Sequence, residues 1–190
     1  MPQPITIVSG LPRSGTSMMM RMIVAAGIPA LTDHARQPDE DNPLGYFEYE
    51  AVKSTRADPS WLNHAPGKVV KLVHILLPDL PVDRPYRIIM MYRDMDEVIA
   101  SQQKMLARHA RSGAHLSPAS LRAVYAAQLE TVRRWMESHP ACQVLDVHYR
   151  GVLTTPLAEA ERIAAFLNVP HAAPDMAAAV DSSLYRNRCA

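Results

Sequence analysis

The sequence predicts an α/β fold built on a parallel sheet with helices over both faces. Short apolar runs rich in β-branched residues, such as Ile5-Thr6-Ile7-Val8, alternate along the chain with longer runs of helical spacing. Strands that alternate with helices imply crossover connections, and crossovers cover both faces of a parallel sheet. A glycine-bounded turn at the first strand–helix junction shows where to look for function, because ligands of such sheets bind beyond the carboxyl ends of the strands.

The chain has 190 residues and a formal net charge of +1. That length is expected to form one domain, residues 1–190, with a proper core. The near-zero charge argues against nucleic acid as a partner. Arginine greatly outnumbers lysine, which suits directed contacts to oxyanions. Cys142 and Cys189 offer neither metal-ligand spacing nor a disulfide framework. Nothing near the start reads as a signal peptide, and no apolar run is long enough to cross a membrane. A soluble cytoplasmic protein without membrane partners is expected.

The first element is the strand beginning at Ile5. The turn Ser9-Gly10-Leu11-Pro12-Arg13-Ser14-Gly15 follows, then an unbroken apolar run from Thr16 to Ala26 that ends at Gly27. A helix starting near Ser14 has a hydroxyl at its cap and a glycine just past its end. Strand, glycine-bounded loop and helix make a cradle for phosphate. Gly10 and Gly15 let successive N–H groups point inward, and the helix N-terminus adds unpaired donors. The stretch from Gly10 fits the G-x-x-x-x-G frame of a Walker A loop, but Thr16 stands where the lysine belongs and the cation is Arg13. An anion site is therefore expected, and an ordinary ATP site is not.

Ile28 to Leu31 reads as a short edge strand, where proline is tolerated. Thr32 to Pro43 is polar and reads as a loop. Gly45-Tyr46-Phe47-Glu48-Tyr49-Glu50 then enters a short helix through Ser54, with aromatic rings beside a carboxylate. Lys68 to His74 and Arg87 to Tyr92 read as strands. Asp94, with Glu97 three residues on, forms a capping pair for a helix reaching about Ala110. Ser117-Pro118 starts the next helix. Its stripe Leu121, Val124, Tyr125, Gln128, Val132, Trp135 and Met136 reads as core. His139-Pro140 ends that helix, and Cys142 to Tyr149 is a strand. Thr155-Pro156 opens a helix whose inward face is Leu157, Ala160, Ile163, Ala164 and Leu167. A short helix over Met176 to Val180 precedes a tail carrying Arg186 and Arg188.

The strand-end rule gathers the Arg13 loop, His74, the Arg93 turn and the loop after Tyr149 at one edge of the sheet. Arg93 ends a strand, and Ser101 lies two turns into the following helix. A guanidinium and a hydroxyl offset in this way can reach one phosphate beside the helix start.

On these motifs the chain resembles the sulfotransferases that use 3′-phosphoadenosine 5′-phosphosulfate (PAPS). In that family a P-K/R-S-G-T-T/S loop holds the 5′-phosphosulfate, and Pro12-Arg13-Ser14-Gly15-Thr16-Ser17 stands in its place. An arginine at a strand end and a serine eight positions later hold the 3′-phosphate, as Arg93 and Ser101 are spaced to do. Asn42-Pro43-Leu44-Gly45-Tyr46-Phe47-Glu48 is similar to a segment of compact bacterial-type members. The resemblance implies a P-loop NTPase-like three-layer sandwich around a parallel sheet of about five strands. It also implies PAPS as cofactor, no metal, and a small-molecule or glycan acceptor.

The cofactor-binding set is Arg13, Ser14, Gly15, Thr16, Ser17, Arg93 and Ser101, with Arg186 and Arg188 added from the tail; the family's glycine-rich basic closing segment is absent here. Arg13 is also assigned to the charge that grows on the leaving oxygen. The cytosolic members carry K-T-H-L-P with a histidine base, whereas Lys71-Leu72-Val73-His74 is one residue longer. Glu48 is the first choice of base and His74 the second. Two other classes stay open: a divergent P-loop kinase or nucleotide hydrolase using Arg13 for the lysine, and a non-catalytic nucleotide-binding module.

Overall fold

The computed structural model describes residues 3–33, 35, 39, 45–108 and 116–181. The strands are β1 (Ile5–Gly10), β2 (Val69–Lys71), β3 (Tyr86–Tyr92) and β4 (Cys142–His148). The helices are α1 (Thr16–Ala25), α2 (Met95–Arg108), α3 (Pro118–Ser138), α4 (Tyr149–Thr154), α5 (Pro156–Phe166) and α6 (Ala173–Ala178). Short 3₁₀ turns at Glu50–Ser54, Ser60–His64, His74–Asp79 and Pro170–Ala172 fill the connections.

The sheet is parallel and four-stranded, in the order β2-β1-β3-β4. Alternation along the strands sorts their side chains into two layers. Ile5 and Ile7 of β1 join Ile88 and Met90 of β3 in one apolar cluster, with Trp61, Leu77 and α3's Val132 and Met136. Val8, Ile89 and Met91 face the opposite way, onto Met18, Met19 and Met22 of α1 and Ile163 and Ala164 of α5. Helices thus close both faces, as the strand–helix alternation predicts. A third cluster joins Leu11 of the first loop to Val98 and Ile99 of α2 and to Tyr125 of α3. It seats the loop against the start of α2.

The sheet has one strand fewer than the expected five among the described residues. The Ile28–Leu31 segment forms a single bridge, Ala30 to Val69. Val69 N–H donates to Pro29 O and Leu31 N–H to Val69 O, but Pro29 has no N–H with which to extend the ladder. The strand expected to reach His74 stops at Lys71, after which the chain tightens into a 3₁₀ turn that holds Pro78. The Cys142 strand ends at His148, because Tyr149 already begins α4.

Helix starts are mixed. Ser117 caps α3 by accepting from Ser120 N–H, with Pro118 in the first turn. α1 begins instead on Gly15, which is left-handed at φ 98°, and Ser14 makes no cap. Gly27, at φ 83°, closes the far end of α1 as expected. In α5 the inward face is Ala160, Ile163, Ala164 and Leu167, while Leu157 is 50% exposed. No described helix is long and apolar enough to cross a membrane.

Candidate functional site

The loop after β1 is held in an unusual backbone shape. Arg13 has φ 71°, a left-handed conformation that a residue with a Cβ adopts at a cost of about 1–3 kcal/mol. Ser14 N–H donates to Leu11 O and closes the turn. A Cβ on Gly10 would lie 2.5 Å from Ser14 Oγ and 2.7 Å from Met91 O, so only glycine fits there. Ser14 is 1% exposed, and its hydroxyl has no hydrogen-bond partner among the described residues. A buried polar atom left unpaired is costly, and an oxyanion in the cradle is the kind of partner it lacks.

The second expected site meets the first. Arg13 Nε donates to Ser101 Oγ at 2.9 Å, and Ser101 is 3% exposed on α2. Arg93 Nη1 donates to the carbonyl of Arg13 at 3.2 Å. That bond pins the strained residue from the strand-end side. Arg93 Nε donates to Glu97 Oε2 at 2.8 Å, and both side chains are more than nine-tenths buried. The capping pair is therefore only half formed. Asp94 Oδ1 accepts from Asp96 N–H and Glu97 N–H, while the Glu97 carboxylate turns to Arg93. Its charge orients the guanidinium and offsets it.

Lys71 ends β2 beside the cradle. Its ammonium donates to Ser17 Oγ at 3.3 Å and to Tyr46 O at 2.9 Å, and lies 5.8 Å from the Tyr46 ring centroid. The lysine thereby ties the aromatic segment at Gly45–Glu50 to the loop. Glu48 is half-buried, and its carbonyl accepts from Thr32 Oγ1 and Asp33 N–H. Thr16 is buried at the start of α1.

His74 is 2% exposed, and its Nε2 pairs with Gln128 Oε1 at 2.9 Å. Burial holds the imidazole below its ordinary pKa, with Gln128 and the nearby Gly10 backbone opposing the shift. Nδ1 makes no bond of full hydrogen-bonding geometry among the described residues. Gln128, the polar break in the α3 stripe, is thus the partner of the second-choice base. Arg186, Arg188 and Asn42 to Leu44 lie outside the described residues.

The structure therefore brings together Arg13, Ser14, Gly15, Ser17, Lys71, Arg93 and Ser101 at the carboxyl edge of the sheet. To the set assigned from the sequence it adds Lys71, Glu97 and Tyr149. Glu97 was visible only as a cap. Tyr149, the first residue of α4, reads in the sequence as a strand end at the ligand edge. Its ring lies 4.6 Å from the Arg93 guanidinium and lies against Gly15.

A parallel sheet with a glycine-shaped loop ahead of α1 defines the class of α/β proteins that hold an anion at the carboxyl ends of the strands. The sequence profile of the sulfotransferase family matches residues 35–173, and the chain belongs to that family. The match includes Arg93 and Ser101 and begins after the Arg13 loop, whose assignment rests on its own residues. Among solved structures, the sulfotransferase domain from the curacin biosynthetic pathway superposes with a TM-score of 0.58 at 15% identity, covering 99% of this chain and 78% of that one. The sulfotransferase domain from the Synechococcus PCC 7002 olefin synthase gives 0.51 at 15% identity, covering 100% and 78%. At such identities the likeness concerns the fold. A search of curated proteins finds no match to this sequence.

Proposed function

We propose that this protein transfers a sulfuryl group from PAPS to a hydroxyl or amine acceptor. The observation that carries the reading is the joining of two oxyanion sites, the Arg13 loop and the Arg93–Ser101 pair, through the Arg13–Ser101 hydrogen bond. One phosphate needs one such site, and a nucleotide with phosphates at both ends of its ribose needs two. The donor set fits that group: a glycine-shaped cradle with an unpaired buried hydroxyl, two arginines, a lysine and three further hydroxyls.

Ser14, Thr16, Ser17 and the amides of the loop would hold the 5′-phosphosulfate. Arg93 and Ser101 would hold the 3′-phosphate, with Arg186 and Arg188 as further cations. When bound, PAPS supplies an activated sulfuryl group whose bond to the bridging oxygen breaks as the acceptor bonds to sulfur, leaving the 3′,5′-bisphosphate.

The chain must then stabilise negative charge on that oxygen and take the acceptor's proton. Lys71, already at Ser17, and Arg13 are the cations at the cradle. Arg13, held through Nε by Ser101, is the guanidinium that would meet the charge growing on the leaving oxygen. The proton goes to a base. Glu48 lies on the aromatic segment that Lys71 ties to the cradle, and His74 is kept neutral, hence able to accept a proton, by burial.

The test is turnover with PAPS and a panel of phenols, sugars and amines, read as release of 3′-phosphoadenosine 5′-phosphate. Release that depends on both acceptor and Arg13 is the expected result. Hydrolysis of ATP–Mg under the same conditions would favour a P-loop hydrolase instead.

A further inference from the structure

We propose that Arg21 is a further binding residue for the nucleotide, reaching along α1 to the anion on the Arg93 side of the site, which in the reading above is the 3′-phosphate; the inference rests on that reading. Arg21 follows Ser17 by four residues and so shares its face of α1. Long side chains on a helix lean towards its N-terminus. That direction carries the guanidinium towards the cradle rather than away from it. Arg21 is half-buried, and its Nε is shut off from water with no hydrogen-bond partner among the described residues. An N–H held in this way is costly until an acceptor arrives. It is the second such atom at this end of the sheet, after Ser14 Oγ.

The neighbours of Arg21 say which part of the site it serves. Its charge acts on the Tyr149 phenol, which also feels Arg93, Glu97 and Arg13. The Tyr149 ring lies against Gly15 and 4.6 Å from the Arg93 guanidinium. Three arginines, two from the loop and strand end and one from α1, therefore gather around one buried ring. On its other side Arg21 is attracted by Asp181, which follows α6, and α6 packs against α1. Arg93 is backed by a carboxylate in the same way, at Glu97. One carboxylate does not use all five N–H groups of a guanidinium. Burial disfavours the charged form of Arg21, yet a guanidinium does not give up its proton in a protein. A bound anion beside it offsets that cost.

The test measures adenosine 3′-phosphate, adenosine 5′-phosphate and 3′-phosphoadenosine 5′-phosphate by calorimetry. Arg21→Gln removes the charge and keeps a good helix former. It is expected to lose about tenfold or more on the two ligands with a 3′-phosphate and to keep near wild-type affinity for the 5′-phosphate. Arg21→Lys keeps the charge but not the planar fork, and should show a smaller loss on the same two ligands. If the glutamine variant does not fold, the lysine variant carries the comparison. A loss shared equally by all three ligands, a loss confined to the 5′-phosphate, or no loss overturns the role of Arg21. A wild-type protein that binds the bisphosphate no better than either monophosphate overturns the two-site reading itself, and the role of Arg21 with it.

Discussion

Arg13 Nε donates to Ser101 Oγ at 2.9 Å, joining the first loop to α2 across 88 residues of chain. The cation of one expected phosphate site is thereby held by the hydroxyl of the other. Ser101→Ala should remove one contact to the 3′-phosphate and loosen Arg13. Hydrogen bonds to charged groups contribute about 1.5–3 kcal/mol, so bisphosphate affinity should fall roughly tenfold or more. Adenosine 5′-phosphate should lose much less. Calorimetry on the two ligands checks this, and equal losses would mean that Ser101 supports the loop rather than the 3′-phosphate.

Arg93→Ala carries two consequences. It should weaken the bisphosphate selectively, and it strands Glu97, whose side chain is 6% exposed. Breaking a buried ion pair from one side typically costs about 3–5 kcal/mol, because the remaining charge is uncompensated. The single variant should therefore unfold at a clearly lower temperature. Arg93→Ala with Glu97→Gln should recover much of that stability without recovering the bisphosphate affinity. Thermal denaturation of the three proteins separates the structural role from the binding role.

Much of this site was legible in the sequence, and the reasons are local. The loop after Ile5–Val8 announces itself through Gly10 and Gly15, whose backbone needs are encoded in their own identity. Arg93 and Ser101 are legible because a strand end and a helix repeat fix their offset. What escaped depends on tertiary geometry. Ser14 looks like a cap, yet Gly15 takes that position and the hydroxyl is buried in the cradle. Glu97 looks like a capping partner until β3 delivers Arg93 beside it. Tyr149 joins the site only because β4 lies next to β3 and ends level with it. The fifth strand stops at one bridge, because Pro29 has no N–H at one end and Asp33 N–H turns to Glu48 O at the other, and α4 is too short to leave a periodic pattern.

Gly15→Ala should be severe. Its Cβ would enter the Tyr149 ring at 2.4 Å, and φ 98° is strained for any L side chain. A backbone cost of about 1–3 kcal/mol, with displacement of the ring, should abolish bisphosphate binding while leaving a cooperative unfolding transition. Retained affinity would contradict the close approach.

Stability should fall on acidification through His74. Its pKa is lowered in the folded state by burial, so the unfolded chain binds the proton more readily. The contribution is fully present above the unfolded value of 6.5 and is lost as pH falls from there through the folded pKa. The difference in melting temperature between wild type and His74→Asn should therefore shrink from pH 7 towards pH 5. A difference that stays constant would mean that the imidazole does not titrate differently on folding.

Glu48→Gln keeps the shape of the aromatic segment but cannot take a proton. Loss of a general base should lower turnover by about 10²–10⁴ with nucleotide affinity near normal. If Glu48→Gln keeps full activity while a folded His74→Asn is inactive, the base is His74, and Gln128 is its orienting partner.

The central claim is that the two joined sites take a nucleotide phosphorylated at both the 3′ and 5′ positions. Calorimetry with 3′-phosphoadenosine 5′-phosphate in the presence of a chelator tests it most directly, set against ATP–Mg. The account predicts metal-free binding of the bisphosphate that is much tighter than binding of ATP–Mg and that weakens in Arg93→Ala. Equal or tighter binding of ATP–Mg would contradict it.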